Sequence, residues 1–162
     1  MRNETVRQLA KKVDGECDDW TSGATICGER YLPPHRISMG VGCRIDDHGE
    51  YSVALLDTGA TLSVVGGELA QELLGQHDPV GEAKGKSRLF GEFSGPLIRI
   101  SVTILANCGG SDLEISSTVM ACEEWSGPPI VLGCNGFLER VRIGLECTRI
   151  EKEYVLYFGQ SE

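Results

Sequence analysis

The sequence predicts a small all-β fold, a closed barrel with one or two short helices, preceded by an irregular N-terminal arm. Three observations carry that expectation. Ile98, Ile100, Val102 and Ile104 alternate with Arg99, Ser101 and Thr103, the period-two pattern of a strand with one buried face. Short apolar segments recur between turn residues such as Asp46-Asp47-His48-Gly49, a hairpin signal. Helical spacing is confined to brief stretches, and 162 residues suffice for one domain with a core of its own.

In chain order, Val6, Leu9, Ala10 and Val13 share one face at helical spacing, with Asn3 in the N-cap position, which predicts an amphipathic helix over residues 3–13. Residues 14–34 are polar, contain Gly and Cys, and end in Pro33-Pro34, so they read as a linker. The expected organisation is therefore an arm, 1–34, and a domain, 35–162. Strands are expected at 36–45 and 50–56, flanking the turn. Leu69, Ala70, Leu73 and Leu74, with Gly75 just beyond, predict a helix over 67–74.

A Gly-punctuated segment, 81–95, follows. Within it Gly85-Lys86-Ser87 imitates the end of a phosphate-binding loop. It lacks the preceding apolar strand and a Gly five residues before Gly85, so it is expected to belong to a mobile loop. The alternating strand at 98–104 leads through a turn at 107–112 to a second at 113–120. A short helix is expected at 137–141, then strands at 142–145 and 154–158.

The most chemically informative run is Leu55-Leu56-Asp57-Thr58-Gly59-Ala60-Thr61. It sets one carboxylate at the end of the apolar strand Val53-Ala54-Leu55-Leu56 and follows it with a tight turn. Apolar surroundings disfavour a charged carboxylate, and a second one beside it makes double ionisation costlier still, so two such groups share a proton. One then takes a proton from water while the other donates to a carbonyl oxygen. Gly59 is expected to aim its N–H at the carboxylate, and Thr58 to supply a hydroxyl that needs a buried partner. Asp-Thr-Gly is also an ordinary strand-end turn. The apolar lead-in, the Ala-Thr that follows and the downstream segment Ile130-Val131-Leu132-Gly133-Cys134-Asn135-Gly136-Phe137-Leu138 favour the chemical reading. A phosphorylated aspartate of the pump type would be followed by Lys, and position 58 is Thr.

On those two segments, in that order, the sequence resembles the retropepsin-like aspartic proteases over roughly residues 36–158. The resemblance implies an acid-protease barrel with Asp57 as the catalytic residue, supported in its turn by Thr58, Gly59 and Ala60. It implies that Val131, Leu132 and Gly133 pack beside that turn, and that residues 81–95, with Gly85, Lys86 and Gly91, form a flap over the substrate. The segment from Gly133 to Phe137 is longer than the retroviral version and closer to cellular and bacterial members. No cofactor and no metal are implied. Only one Asp-Thr-Gly is present, and the chain is too short for two lobes, so a dyad requires a homodimer with its axis between the two Asp57 side chains. The implied function is an aspartic-type endopeptidase acting on a peptide or protein substrate. The alternative is a catalytically silent module that keeps the fold for dimerisation or peptide binding. The last strand, 154–158, is expected either to interleave with a second subunit or to close the chain's own barrel.

Composition narrows the partners. A formal charge of −9 argues against a nucleic-acid partner, which would require clustered Lys and Arg. No run is long enough to span a bilayer, and Met1-Arg2-Asn3-Glu4-Thr5 lacks the apolar core of a signal peptide, so no membrane and a cytoplasmic location are expected. Seven cysteines, an odd number without a Cys-x-x-Cys pair, point to free thiols and away from zinc. A thiol redox function would rest on that count alone. Cys134, next to Gly133, is read as a small buried filler. His35, His48 and His77 lack ligand spacing and are expected in loops or at the surface.

Overall fold

The computed structural model describes residues 22–27, 39–46, 52–147 and 154–160. The helix expected at 3–13 lies outside them, as does most of the turn after Asp46.

The barrel is built from β2 (Met39–Ile45), β3 (Ser52–Leu56), β4 (Ser63–Gly66), β6 (Gly91–Ile104), β8 (Leu113–Cys122) and β9 (Ile130–Leu132). These lie in the order β2-β3-β9-β4-β8-β6, and β6 pairs back onto β2, closing the ring. β5 (Gly81–Ser87) hangs on the outer side of β6 as a hairpin partner. The alternation that predicted the central strand is the inside–outside code of the barrel. Ile98, Ile100, Val102 and Ile104 are buried, as are Leu113, Ile115 and Val119 of the neighbouring β8, while Arg99 faces water. Pro96 sits in β6 just before its register with β8 begins at Leu97, so its missing N–H forfeits no bond to that strand.

The helix α1 (Gly67–Leu74) has the bounds expected of it. Ala70 and Leu73 are its buried residues, and it packs on β4 and β8. The Gly75 N–H closes its end onto the Gln71 and Glu72 carbonyls at 3.2 and 3.1 Å. The helix expected at 137–141 shortens to one 3-10 turn, Leu138–Arg140. Gly136, at φ 85°, bends the chain into it, and Val141 is already extended and buried at its end.

A second sheet has the order β10-β11-β1-β7, from β10 (Val141–Cys147), β11 (Tyr154–Gln160), β1 (Gly23–Cys27) and β7 (Gly109–Gly110). The expected linker at 14–34 therefore contains a strand. Its small residues show no alternation because their position comes from long-range pairing: Gly23 to Cys27 run antiparallel to Phe158 to Tyr154. Ala24 and Thr25 are fully buried, and the Thr25 hydroxyl donates to Asn107 Oδ1 at 2.9 Å. β11 is thus flanked on both sides by strands of its own chain, and Leu156 and Phe158 join the barrel core beside Phe137.

Gly85, Lys86 and Ser87, expected in a mobile loop, belong instead to the regular strand β5, opposite Phe93, Glu92 and Gly91. Antiparallel pairing satisfies their backbone, and the half-buried positions of the alternation hold Ala83, Gly85 and Ser87 rather than the large apolar residues that would have marked a strand.

Candidate active site

Asp57 leaves the end of β3 into a turn clamped from both sides by backbone. β9 runs parallel to β3, with Leu55 opposite Val131 and Leu56 opposite Leu132, and antiparallel to β4. It therefore lies between the strand that enters the turn and the strand that leaves it. The Asp57 N–H donates to the Leu132 carbonyl at 3.0 Å, and the Ala60 N–H donates to the Asp57 carbonyl at 3.1 Å. Past β9, the Cys134 and Asn135 N–H groups donate to the carbonyls of Ala60 and Thr61, each at 2.8 Å. Main-chain bonds of this kind use no side-chain group, so the clamp leaves the carboxyl of Asp57 unspent.

The Gly59 N–H donates to Asp57 Oδ1 at 2.9 Å, fixing the orientation of the carboxyl group. Among the described residues this is the carboxylate's one hydrogen-bond partner, and Asp57 is only half-buried. An oriented, partly exposed carboxylate can accept a proton from water or donate one when protonated.

Gly133 shows why the downstream segment needs its glycine. A Cβ there would sit 2.5 Å from the Leu62 carbonyl oxygen and 2.8 Å from that of Ala60. Its N–H donates to the Ser63 hydroxyl at 3.0 Å, inside the fold. Val131 and Leu132 are buried. Thr58, expected to bury its hydroxyl, is exposed in the single chain; its carbonyl accepts the Cys134 thiol at 3.3 Å. Turn and loop residues are thus brought together: Asp57, Thr58, Gly59 and Ala60 against Leu132, Gly133 and Cys134.

Gly85, Lys86 and Gly91 stand apart from this cluster, in the β5–β6 hairpin. Lys86 Nζ reaches Glu92 Oε1 at 3.3 Å across its exposed surface, and Gly91 lies where the turn re-enters β6. What ties the hairpin to the site is aromatic. Phe90 and Phe93 pack on Trp125, with ring centroids 5.0 and 4.7 Å apart, and the Trp125 indole N–H donates to the Pro128 carbonyl at 2.8 Å. Phe93 and Trp125 also lie against an apolar cluster of Val64, Cys122 and Val131, together with Leu55 and Ala60 from the Asp57 turn.

Sequence reasoning missed Ser63, Phe90, Phe93 and Trp125. Nothing local marks Ser63, whose partner is 70 residues away. Trp125 followed by Ser-Gly-Pro-Pro did carry a signal, an aromatic residue ahead of a stiff turn.

Cys43, Cys108, Cys122 and Cys134 take part in no disulfide. Burial pushes the Cys43 thiol up to about 12, against a weaker pull from the Ala54 backbone, so it is not a thiolate at neutral pH. Among the described residues no group of three or more His, Cys, Asp or Glu is arranged to hold a metal ion, and no helix is long and apolar enough to cross a membrane. His77 lies in a loop as expected but is not isolated. Its Nε2 meets Asp46 Oδ2 at 2.8 Å, while Oδ1 of the same carboxylate accepts the Ser101 N–H at 2.7 Å.

No family model and no curated protein matches the sequence. Among solved structures the chain is similar to a retropepsin-like aspartic protease from Rickettsia conorii, at 14% identity, over 90% of this chain and 100% of that one, with a TM-score of 0.49.

Proposed function

We propose that the chain is an aspartic endopeptidase whose reaction centre forms when two copies bring their Asp57 carboxylates together. The observation that carries this reading is the clamped turn: Asp57 held to Leu132 by its N–H, its carboxylate oriented by the Gly59 N–H and otherwise open. One oriented acid cannot both activate water and protonate the scissile carbonyl, whereas a pair sharing a proton can. In this reading one Asp57 takes the proton of the attacking water and the other donates to the carbonyl oxygen, and their roles exchange as the tetrahedral intermediate collapses. The substrate lies extended beside the β5–β6 hairpin, bound through main-chain hydrogen bonds with alternate side chains in pockets.

The test is cleavage of a denatured protein mixture by the purified chain and by Asp57→Asn, a nearly isosteric change that removes the shared-proton chemistry. Loss of hydrolysis by at least roughly a hundredfold, with the fold retained, is expected from removing an essential acid–base group. A hydroxyl-bearing peptide mimic of the tetrahedral intermediate should inhibit the wild type. Full activity in the variant, or no cleavage by the wild type under any condition that preserves its dimer, rejects the proposal.

A further inference from the structure

The β5–β6 hairpin ends in an apolar tip on a cationic stem. Residues 91–96 of β6 pair with β5 alone among the described strands, and the register with β8 begins at Leu97. At about 3.3 Å per residue, the tip lies roughly 20 Å along the strand from the first row it shares with the barrel. There the turn leaves Leu89 58% and Phe90 37% exposed, the latter with its ring against Trp125. The turn asks little of water, because the Ser87 hydroxyl accepts the N–H groups of both Leu89 and Phe90, at 3.2 and 3.3 Å. Lys84, Lys86 and Arg88 stand at alternate positions beside it, all exposed. Lys86 meets Glu92 in a pair open to solvent, while Lys84 and Arg88 form no ion pair among the described residues.

We propose that this tip docks on an anionic lipid surface, with Leu89 and the exposed part of Phe90 entering the headgroup region and Lys84, Lys86 and Arg88 meeting the charged headgroups around them. Such contact needs no spanning helix, only apolar area joined to positive charge. Two simpler readings each cover half of the observations. Lysines at alternate positions guard the open edge of β5 against pairing, but that gives no reason for Leu89 at the tip. An acidic peptide would match the cations and leave Leu89 in water. A lipid surface uses both, because basic side chains lay their apolar stems along the boundary and keep their charge among the headgroups.

A net charge of −9 would repel the chain as a whole from such a surface, and distance decides the outcome. At physiological ionic strength the screening length is about 8 Å, less than half the roughly 20 Å from the tip back to the barrel row. The hairpin cations therefore feel the surface while most of the negative charge is screened from it, which also sets the approach tip first. The contact is independent of the Asp57 turn, none of whose residues takes part in it.

The test is co-sedimentation of the purified full chain with vesicles of mixed phosphatidylserine and phosphatidylcholine, and with vesicles of phosphatidylcholine alone. The chain should partition onto the first and not the second, and raised salt should release it. Lys84→Glu and Arg88→Glu should each weaken binding about tenfold or more, since a reversal removes one attraction and adds one repulsion. Leu89→Ser should do the same by removing the inserted group. Arg99→Glu makes the same charge change on the exposed wall of the barrel and should alter binding less than about threefold. Without any variant, anionic vesicles should slow amide hydrogen exchange over residues 84–90 and not over residues 138–147. No partition onto anionic vesicles, equal partition onto neutral ones, tip variants that bind like wild type, an Arg99→Glu loss as large as theirs, or unchanged exchange at 84–90 overturns the proposal. Binding of a polyglutamate peptide by a chain that ignores the vesicles overturns it in favour of an acidic protein partner.

Discussion

The Asp57 turn and the β5–β6 hairpin share one apolar cluster, yet they are held in different ways. The turn is fixed by backbone: Leu132 and Ala60 bond to Asp57 along the main chain, and Gly133 leaves no space for a side chain beside the Leu62 and Ala60 carbonyls. Among the described strands the hairpin has a ladder to the rest of the sheet only through β6, its β5 residues alternate between exposed and half-buried, and its attachment to the site runs through Phe90, Phe93 and Trp125. Backbone clamps of the first kind are stiff and pre-orient a reacting group. Aromatic contacts of the second kind can be broken and remade one ring at a time, at about 0.5–1.5 kcal/mol per ring pair beyond area burial. The contrast suits the proposed function, in which a fixed carboxylate lies beside an element that yields to admit a peptide.

Gly133→Ala attacks the stiff region where it is least forgiving. Its methyl meets two backbone carbonyl oxygens, of which that of Ala60 already accepts the Cys134 N–H, so a loss of about 3 kcal/mol or more is expected, visible as a lower midpoint of denaturant unfolding. An unchanged midpoint would mean that the clamp gives way at little cost. Ser63→Ala should lose about 1–3 kcal/mol, because it strips the Gly133 N–H of its buried acceptor. Activity should fall with it through displacement of the loop. Trp125→Ala should cost about 1–3 kcal/mol while breaking both ring contacts. Its signature is local: faster amide hydrogen exchange over residues 85–93 with that of residues 55–60 unchanged. Equal acceleration in both segments would erase the distinction between them.

Much of this was legible in the sequence, for identifiable reasons. Ile98 to Ile104 alternate because one face of β6 lines the barrel, and α1 is legible because Ala70 and Leu73 sit at helical spacing against β4 and β8. The Asp57 turn could be read because local residues make it: the Gly59 N–H reaches back two positions to the carboxylate. β1 was not, since Gly23 to Cys27 owe their conformation to β11 more than a hundred residues away. The same holds for Ser63 and Trp125, whose roles are set by Gly133 and by the hairpin rings. The Phe137 region fell between these cases: its apolar residues were seen, but the glycine bend at Gly136 and the buried Val141 left space for only a single 3-10 turn.

The central claim is that one reaction centre needs Asp57 from two chains, and mixing tests it most directly. Wild-type chain at fixed concentration is combined with increasing amounts of Asp57→Asn, allowed to exchange subunits, and assayed for peptide hydrolysis. If each centre draws one acid from each copy, mixed dimers are dead, and hydrolysis per wild-type chain falls toward zero as the variant comes into excess. Hydrolysis per wild-type chain that stays constant across the whole titration, with exchange verified, would contradict the account and require a second acid within the same chain.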